Sequence, residues 1–315
     1  MIGFIIRRLG SMVLVLFAVS VLIFVIFNVI PSNDPAVRMA GKNPTPTQIE
    51  AIRRDWGFDK PVTTQYVRMI EKTFNGELIS YSNRQNVTER IKEGLPRTLS
   101  LTFFSSLFML LGGILLGMLG ALKPNSKSDR AVNAFAVTGI SLPVFWTGSL
   151  ASYYLGSKAG VIPAGGYVEI SEGGVLQWFW HLLAPSIVIS LLFIGIYSRV
   201  VRGDLLDALR ADYVRTAEAK GLSRRRVVVR HALRNALIPM ITLWGLDVAI
   251  TLGGGAVLTE TVFDLDGVGA YLAESVQTLD VPPVLAITMF GAIAVVVMNA
   301  LVDILYAYLD PRIRL

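Results

Sequence analysis

Apolar and polar residues alternate along this chain in long blocks, not at the short periods of an amphipathic soluble fold. Apolar blocks occupy Gly10–Ile30, 98–121, 133–156, 184–200, 238–258 and 284–308. Each approaches the roughly 20 residues a helix needs to cross a hydrocarbon core, so the pattern predicts an all-α integral membrane protein with six spans. The fourth block is the shortest, with Pro185 at its start and Arg199 closing it, and Trp178, Trp180 and His181 just before it suit a bilayer boundary. The first block follows Arg7 and Arg8, is too long for a signal-peptide core, and leads into Pro31-Ser-Asn-Asp-Pro35 with no small-residue cleavage pattern. It is expected to remain as an uncleaved span with the N-terminus inside.

These blocks divide the chain into a first span at 1–30, a polar segment at 31–97, a core of five spans at 98–309 and a tail at 310–315. Within the polar segment, Thr45-Pro46-Thr47-Gln48 supplies an N-cap, a proline at the first helical position and a glutamine at the third. Ile49, Ile52 and Trp56 follow at helical spacing, and Gly57 ends that helix. A second helix is predicted over Thr64–Phe74 with Gly76 as its stop, and a third over Thr88–Glu93, ended before Pro96.

The polar loop at 201–237 contains a different pattern, two short helices around a glycine. Asp212 is placed to cap the first, Gly221 to take a positive φ after it, and Ser223 to cap the second. In the second helix Val229, Ala232, Leu233, Ala236 and Leu237 share one face, and Arg226, Arg230, Arg234 and Asn235 fall largely on another. An interrupted amphipathic hairpin at a membrane surface is suited to docking.

Composition agrees with the spans. The chain has 315 residues, 53% of them apolar and 17% charged, with a mean hydropathy of +0.57. Its net charge of +6 lies beside apolar runs, where retention on the cytoplasmic side accounts for it better than nucleic acid does. Residues 199–237 carry ten Lys and Arg, whereas 158–182 carry one and 259–281 none; this contrast puts the hairpin and both termini in the cytoplasm. Cysteine is absent, which removes disulfides, thiolate nucleophiles and Cys-ligated zinc.

No Gly-rich phosphate loop is present, and Gly253-Gly254-Gly255 stands in an apolar run, where it permits close helix packing or a local break. Gly112, Gly113 and Gly117 read the same way. His181 and His231 lack a second donor at metal-ligand spacing, and no catalytic set assembles. Two carboxylates fall within spans. Asp303 has Asn299 one turn before it and Tyr306 three residues after, which suits a structural role; Asp247 suits either a cationic substrate group or a structural hydrogen bond.

Arg215-Thr216-Ala217, Gly221 and His231-Ala-Leu233-Arg-Asn235 resemble the cytoplasmic loop of binding-protein-dependent ABC importer permeases. Further stretches extend the likeness nearly end to end: Leu95-Pro-Arg-Thr-Leu99, Ser141-Leu-Pro-Val-Phe-Trp146, Gly254-Gly-Ala-Val-Leu-Thr-Glu-Thr-Val-Phe263 and Asp310-Pro-Arg-Ile-Arg314. The whole chain is similar to the B-type permease of the dipeptide/oligopeptide/nickel importer family. That resemblance implies the six-helix type I importer permease fold in a prokaryotic inner membrane. It also implies a C-type permease partner, two ABC ATPase subunits that bind the ATP and Mg, and an extracytoplasmic substrate-binding protein.

By the same resemblance Asp212, Tyr213, Arg215, Thr216, Ala217, Glu218, Lys220, Gly221, Leu222, Ser223 and Arg224 would contact the ATPase, with membrane lipid nearby. Asp247, Phe145, Trp146 and Glu260 would line the substrate path. The sequence departs from the general pattern at Arg215, where the importer loop begins with Glu, and at Arg234, where a proline is usual; Gly76-Glu-Leu-Ile79 and Asp247 also depart. Cargo is therefore open between peptides and nickel, glutathione or oligosaccharides, and an ATP-independent channel or secondary transporter is the rival class.

Overall fold

The computed structural model describes the backbone of residues 2–30, 34–40 and 44–309, and the side chains of that set apart from 2–6 and 303–309. Among the described residues only one isolated bridge, Ile79 with Asn86, departs from an otherwise helical and turn structure. Five helices are long and apolar enough to span: Arg7–Val29, Val87–Leu122, Ile170–Arg210, Arg224–Gly255 and Val281–Val302. A sixth crossing arises if Lys127–Ser141 and Val144–Lys158, bent by 100° at their break, act as one. In chain order the helices are α1 Ile2–Phe24, α2 Pro35–Met39, α3 Pro46–Trp56, α4 Val62–Asn75, α5 Val87–Leu122, α6 Lys127–Ser141 and α7 Val144–Leu150. They continue with α8 Ile170–Arg210, α9 Asp212–Ala219, α10 Arg224–Arg226, α11 Leu233–Ile250, α12 Val257–Val262, α13 Val268–Thr278 and α14 Val281–Leu309. π-helical turns extend α1, α7 and α11 and join α10 to α11.

Local chemistry fixes several ends as expected. The Thr45 hydroxyl accepts the Gln48 N–H at 3.3 Å while the Gln48 amide oxygen accepts the Thr45 N–H at 2.9 Å, a complete capping box. Gly57 and Gly76 close α3 and α4 in the left-handed region.

Three expectations are corrected. The helix expected to stop before Pro96 runs through it as α5, because Arg90 and Arg97 on either side both grip Asp266 and hold the turn that has lost a backbone donor. The third span is not continuous over 133–156. Leu142, at φ −92° and ψ 125°, takes the extended backbone that a following proline favours, and the chain turns there. The fourth span overruns 184–200 in both directions, with Pro185 inside α8, a 41-residue helix broken only near its start at Gly174.

Contacts divide the chain into two compact units, Met1–Leu99 with Ala249–Asp303, and Ser100–Val248. In the first, Phe24, Met39, Ile52, Trp56, Met69, Leu78, Val87, Tyr271 and Leu285 form one buried cluster. The Trp56 indole donates to the Tyr81 hydroxyl at 2.8 Å, and burial pushes the Tyr81 phenol up to about 12. The glycine run at 253–255 allows close packing and a break together. A Cβ on Gly291 would meet the Gly253 carbonyl oxygen at 2.5 Å, and Gly254 takes a φ of 137°.

The second unit is built on helix contacts of the same close kind. A Cβ on Gly113 would lie 2.4 Å from the Tyr197 Cβ, and one on Gly195 2.8 Å from the Ala136 carbonyl, so α8 lies against both α5 and α6 with little between the backbones. Arg202 of α8 donates to both oxygens of buried Asp129 at 2.6 and 2.7 Å, and the Asn125 N–H adds a bond at 2.9 Å. Removing Asp129 would leave the guanidinium facing no acceptor here. The Trp244 indole donates to the Ser106 carbonyl at 2.9 Å and brings α11 to α5.

Candidate functional site

The polar hairpin after α8 is built so that one side is fixed and the other is presented. α9 has eight residues, a rod of about 12 Å. Val214 is fully buried and Ala217 nearly so, against the turn at 227–232. Asp212, Tyr213, Arg215, Thr216, Glu218 and Lys220 point outward, with the Tyr213 ring 42% exposed. An amphipathic helix this short is marginal alone; its two buried residues and its terminal turns hold it.

Those turns differ in one respect from expectation. The cap residue is Ala211, extended at φ −70° and ψ 149°, and Asp212 is the first helical residue, not the cap. Its carboxylate still sits at the positive end of the helix and lies 3.4 Å from the Arg215 guanidinium. At the other end Gly221 takes φ 75° as expected. The Leu222 N–H reaches back to the Ala217 carbonyl at 3.4 Å and the Gly221 N–H to Glu218 at 2.9 Å, closing the helix. A Cβ on Gly221 would meet nothing; the constraint there is backbone conformation.

Ser223 occupies the cap position of the second arm but makes no side-chain bond to it. Arg224 donates to Glu218 at 2.7 Å and ties the two arms together. Beyond it the apolar register differs from the predicted face. Val227, Val228, Ala232, Leu233 and Ala236 are buried, whereas Val229 is 50% exposed. The cause is the π-helical turn over Val227–Ala232, which advances fewer degrees per residue than an α-helix and shifts the buried face.

The intramembrane polar residues are resolved differently. The Tyr197 hydroxyl donates to Asp247 at 2.6 Å, joining α8 to α11. Asn299 is half-buried on α14, while the side chains of Asp303 and Tyr306 lie outside the described residues. Phe145 and Trp146 are exposed on α7, and Trp146 borders an apolar groove of about 530 Å³ that Leu150, Tyr154, Leu183 and Ile187 also line.

Glu260 is not presented to any surface; its exposure is 0%. The Thr98 hydroxyl donates to its Oε1 at 2.7 Å and the Ala270 N–H to its Oε2 at 2.9 Å, while the Val268 N–H donates to the Thr98 oxygen at 2.9 Å. Burial raises the Glu260 carboxyl above its usual range, against the lowering effect of these donors. Asp266 shows the reverse balance. Burial raises it, but Arg90 and Arg97 together outweigh that and hold its carboxyl low. Asp280 accepts from the Ser80 hydroxyl and from the N–H groups of Tyr81 and Ser82, both at 3.1 Å. These clasps join residues up to 200 apart in sequence, and nothing in local composition marks them.

A family model described as binding-protein-dependent transport system inner membrane component matches residues 113–315, and its N-terminal companion matches residues 1–102. The chain belongs to this family. It is the membrane-spanning permease component of an ABC importer, an inner-membrane subunit. The permease is 37% identical to the di/tripeptide transport system permease protein DppB of Pseudomonas aeruginosa, over 100% of this chain and 99% of that protein. It is 37% identical to the probable D,D-dipeptide transport system permease protein DdpB of Escherichia coli, over 98% and 96%, and 33% identical to the dipeptide transport system permease protein DppB of that organism, over 100% and 99%. Among solved structures, an amino acid ABC transporter described as crystallised with histidines matches the permease with a TM-score of 0.50 and 14% identity, over 69% of this chain and 93% of that one; this supports the fold.

Proposed function

We propose that this permease forms half of the translocation path of an ATP-driven peptide importer and that α9 is its coupling element. The other half is a C-type permease, cargo arrives on an extracytoplasmic binding protein, and two ATPase subunits act from the cytoplasm. The observation that carries the coupling role is the division of α9: Val214 and Ala217 fix it to its own chain, and Tyr213, Thr216 and Lys220 are left outward for a partner. Closure of the ATPase pair on such a face passes as a rigid push through the arm at 224–234 into α11. The lysine and arginine distribution supports both termini and this hairpin on the cytoplasmic side. The names of the relatives support dipeptides and tripeptides as cargo. Asp247 is assigned to the path, where its carboxylate is oriented by Tyr197.

Reconstitution with the three kinds of partner tests the reading. The complex takes up labelled dipeptide in an ATP-dependent way, and the Gly221→Glu variant inserts normally yet loses that uptake. Undiminished uptake by the Gly221 variant contradicts the coupling role, and ATP-driven uptake of another cargo with none of peptide contradicts the substrate. Asp247→Asn separates uptake of cationic from neutral peptides if the carboxylate meets cargo; equal change in both removes that role.

A further inference from the structure

The two ion pairs of the hairpin, Asp212 with Arg215 and Glu218 with Arg224, consume its acidic residues. Of the hairpin's exposed arginines that no ion pair to a carboxylate engages among the described residues, Arg225, Arg226, Arg230 and Arg234, the last three are evenly set. Their spacing is four residues each time, one helical turn, so the three guanidinium groups form a stripe along one face of the arm. Neighbouring like charges at this spacing oppose helix formation; the chain nevertheless carries three in a row. We infer that this stripe is a binding site for anionic phospholipid headgroups.

Position along the arm selects lipid over protein. After Arg234 and Asn235 the helix carries no charged residue until Asp247, so the hydrocarbon boundary falls at that point. The headgroup layer beyond it is about 5–8 Å deep, and the stripe from Arg234 to Arg226 covers about 12 Å of helix axis. Arg234 and Arg230 therefore lie at headgroup depth, with Arg226 at the aqueous edge. Long arginine stems reach along the apolar surface while the charge stays in the polar layer, and the exposed Val229 beside them adds an apolar contact. The outward face of α9 is a separate surface, on the other arm of the hairpin. The choice of the inner leaflet rests on the proposed cytoplasmic placement; the choice of an anionic headgroup does not.

The test uses the assembled transporter, extracted and analysed by native mass spectrometry after titration with phosphatidylglycerol, and in parallel placed in nanodiscs of phosphatidylcholine with or without phosphatidylglycerol. The wild type retains phosphatidylglycerol, and the Arg226→Gln, Arg230→Gln, Arg234→Gln triple variant binds it about a hundredfold more weakly. The single Arg230→Gln variant shows a loss of about fivefold, which keeps the test open should the triple variant not fold. Lysine at all three positions preserves most of the binding. Retention of phosphatidylglycerol by the glutamine variants at wild-type affinity overturns the site, as does loss of the ATPase subunits from those variants with lipid binding intact. Lipid binding is read without transport, so a failure here is distinct from a failure of the coupling role tested at Gly221.

Discussion

Two regions of this permease treat charge in opposite ways. Around residues 257–280 the three buried or half-buried carboxylates are consumed within the chain: Glu260 by Thr98 and the Ala270 N–H, Asp266 by Arg90 and Arg97, and Asp280 by Ser80 to Ser82, while Asp264 and Glu274 are exposed. Around residues 212–234 the acids pair locally and a surplus of arginine is left outward. Satisfied charge holds a segment in place, and surplus charge has to be met from outside. The first region is accordingly a clasp, and the second a surface for partners. Substitutions in the clasp should change stability first, and substitutions in the hairpin should change assembly and transport first.

The largest effect is expected at Glu260. Glu260→Ala leaves the Thr98 hydroxyl and the Ala270 N–H buried without an acceptor, at a cost of about 3–5 kcal/mol, read as a fall in the unfolding midpoint of the purified protein. Its pH dependence has a definite sign. A carboxyl raised by burial favours the fold fully below its unfolded value of 4.5, and that contribution is lost as pH rises toward the folded value. Glu260→Gln should flatten stability across that window.

Asp266 ranks next, at about 1–2 kcal/mol for Asp266→Asn, a figure reduced because its side chain is 47% exposed. Its linkage runs the other way: the ion pairs contribute above the ordinary 3.8 and are lost as pH falls through the depressed folded value. Acid titration of the wild type and of Asp266→Asn should therefore converge at low pH. Equal pH profiles throughout would remove the ion pairs from the account of the clasp.

Gly221 breaks the comparison from the other side. A β-branched residue at its φ of 75° costs about 1–2 kcal/mol locally, and asparagine less. Gly221→Val should leave the global unfolding midpoint nearly unchanged while abolishing uptake, and Gly221→Asn should retain part of it. A variant that loses stability and transport in proportion would make the hairpin merely another structural element.

The spans, the capping box at Thr45 and Gln48 and the left-handed turn at Gly221 were legible because each rests on a local or periodic signal. Proline shows where such signals fail. Pro96, Pro185 and Pro239 lie inside helices and Pro143 follows a break; at Pro96 the difference comes from the distant grip of Asp266, which composition near the proline does not carry. The same reason hid the pairs Asp129 with Arg202 and Asp280 with Ser80, and it turned Glu260 from an expected path residue into a buried brace. Asp247 reads from sequence as an intramembrane carboxylate that needs a partner, but Tyr197 lies 50 residues away and leaves no local mark of the pairing. Val229 departs from the face its spacing predicts because a π-helical turn leaves no mark in hydrophobic spacing.

The central claim is that α9 presents one face to the ATPase and keeps the other for its own chain. Because the chain has no cysteine, single substitutions place one thiol at a chosen position of this subunit for a crosslinking scan in the transporter assembled with partners whose own cysteines have been removed. Tyr213→Cys, Thr216→Cys and Lys220→Cys should crosslink to a cysteine-bearing ATPase subunit, with yields that change when ATP binds, whereas Val214→Cys and Ala217→Cys should not. Crosslinking at Val214 and Ala217 equal to that at Tyr213 and Thr216, or none at any of the five, would contradict it.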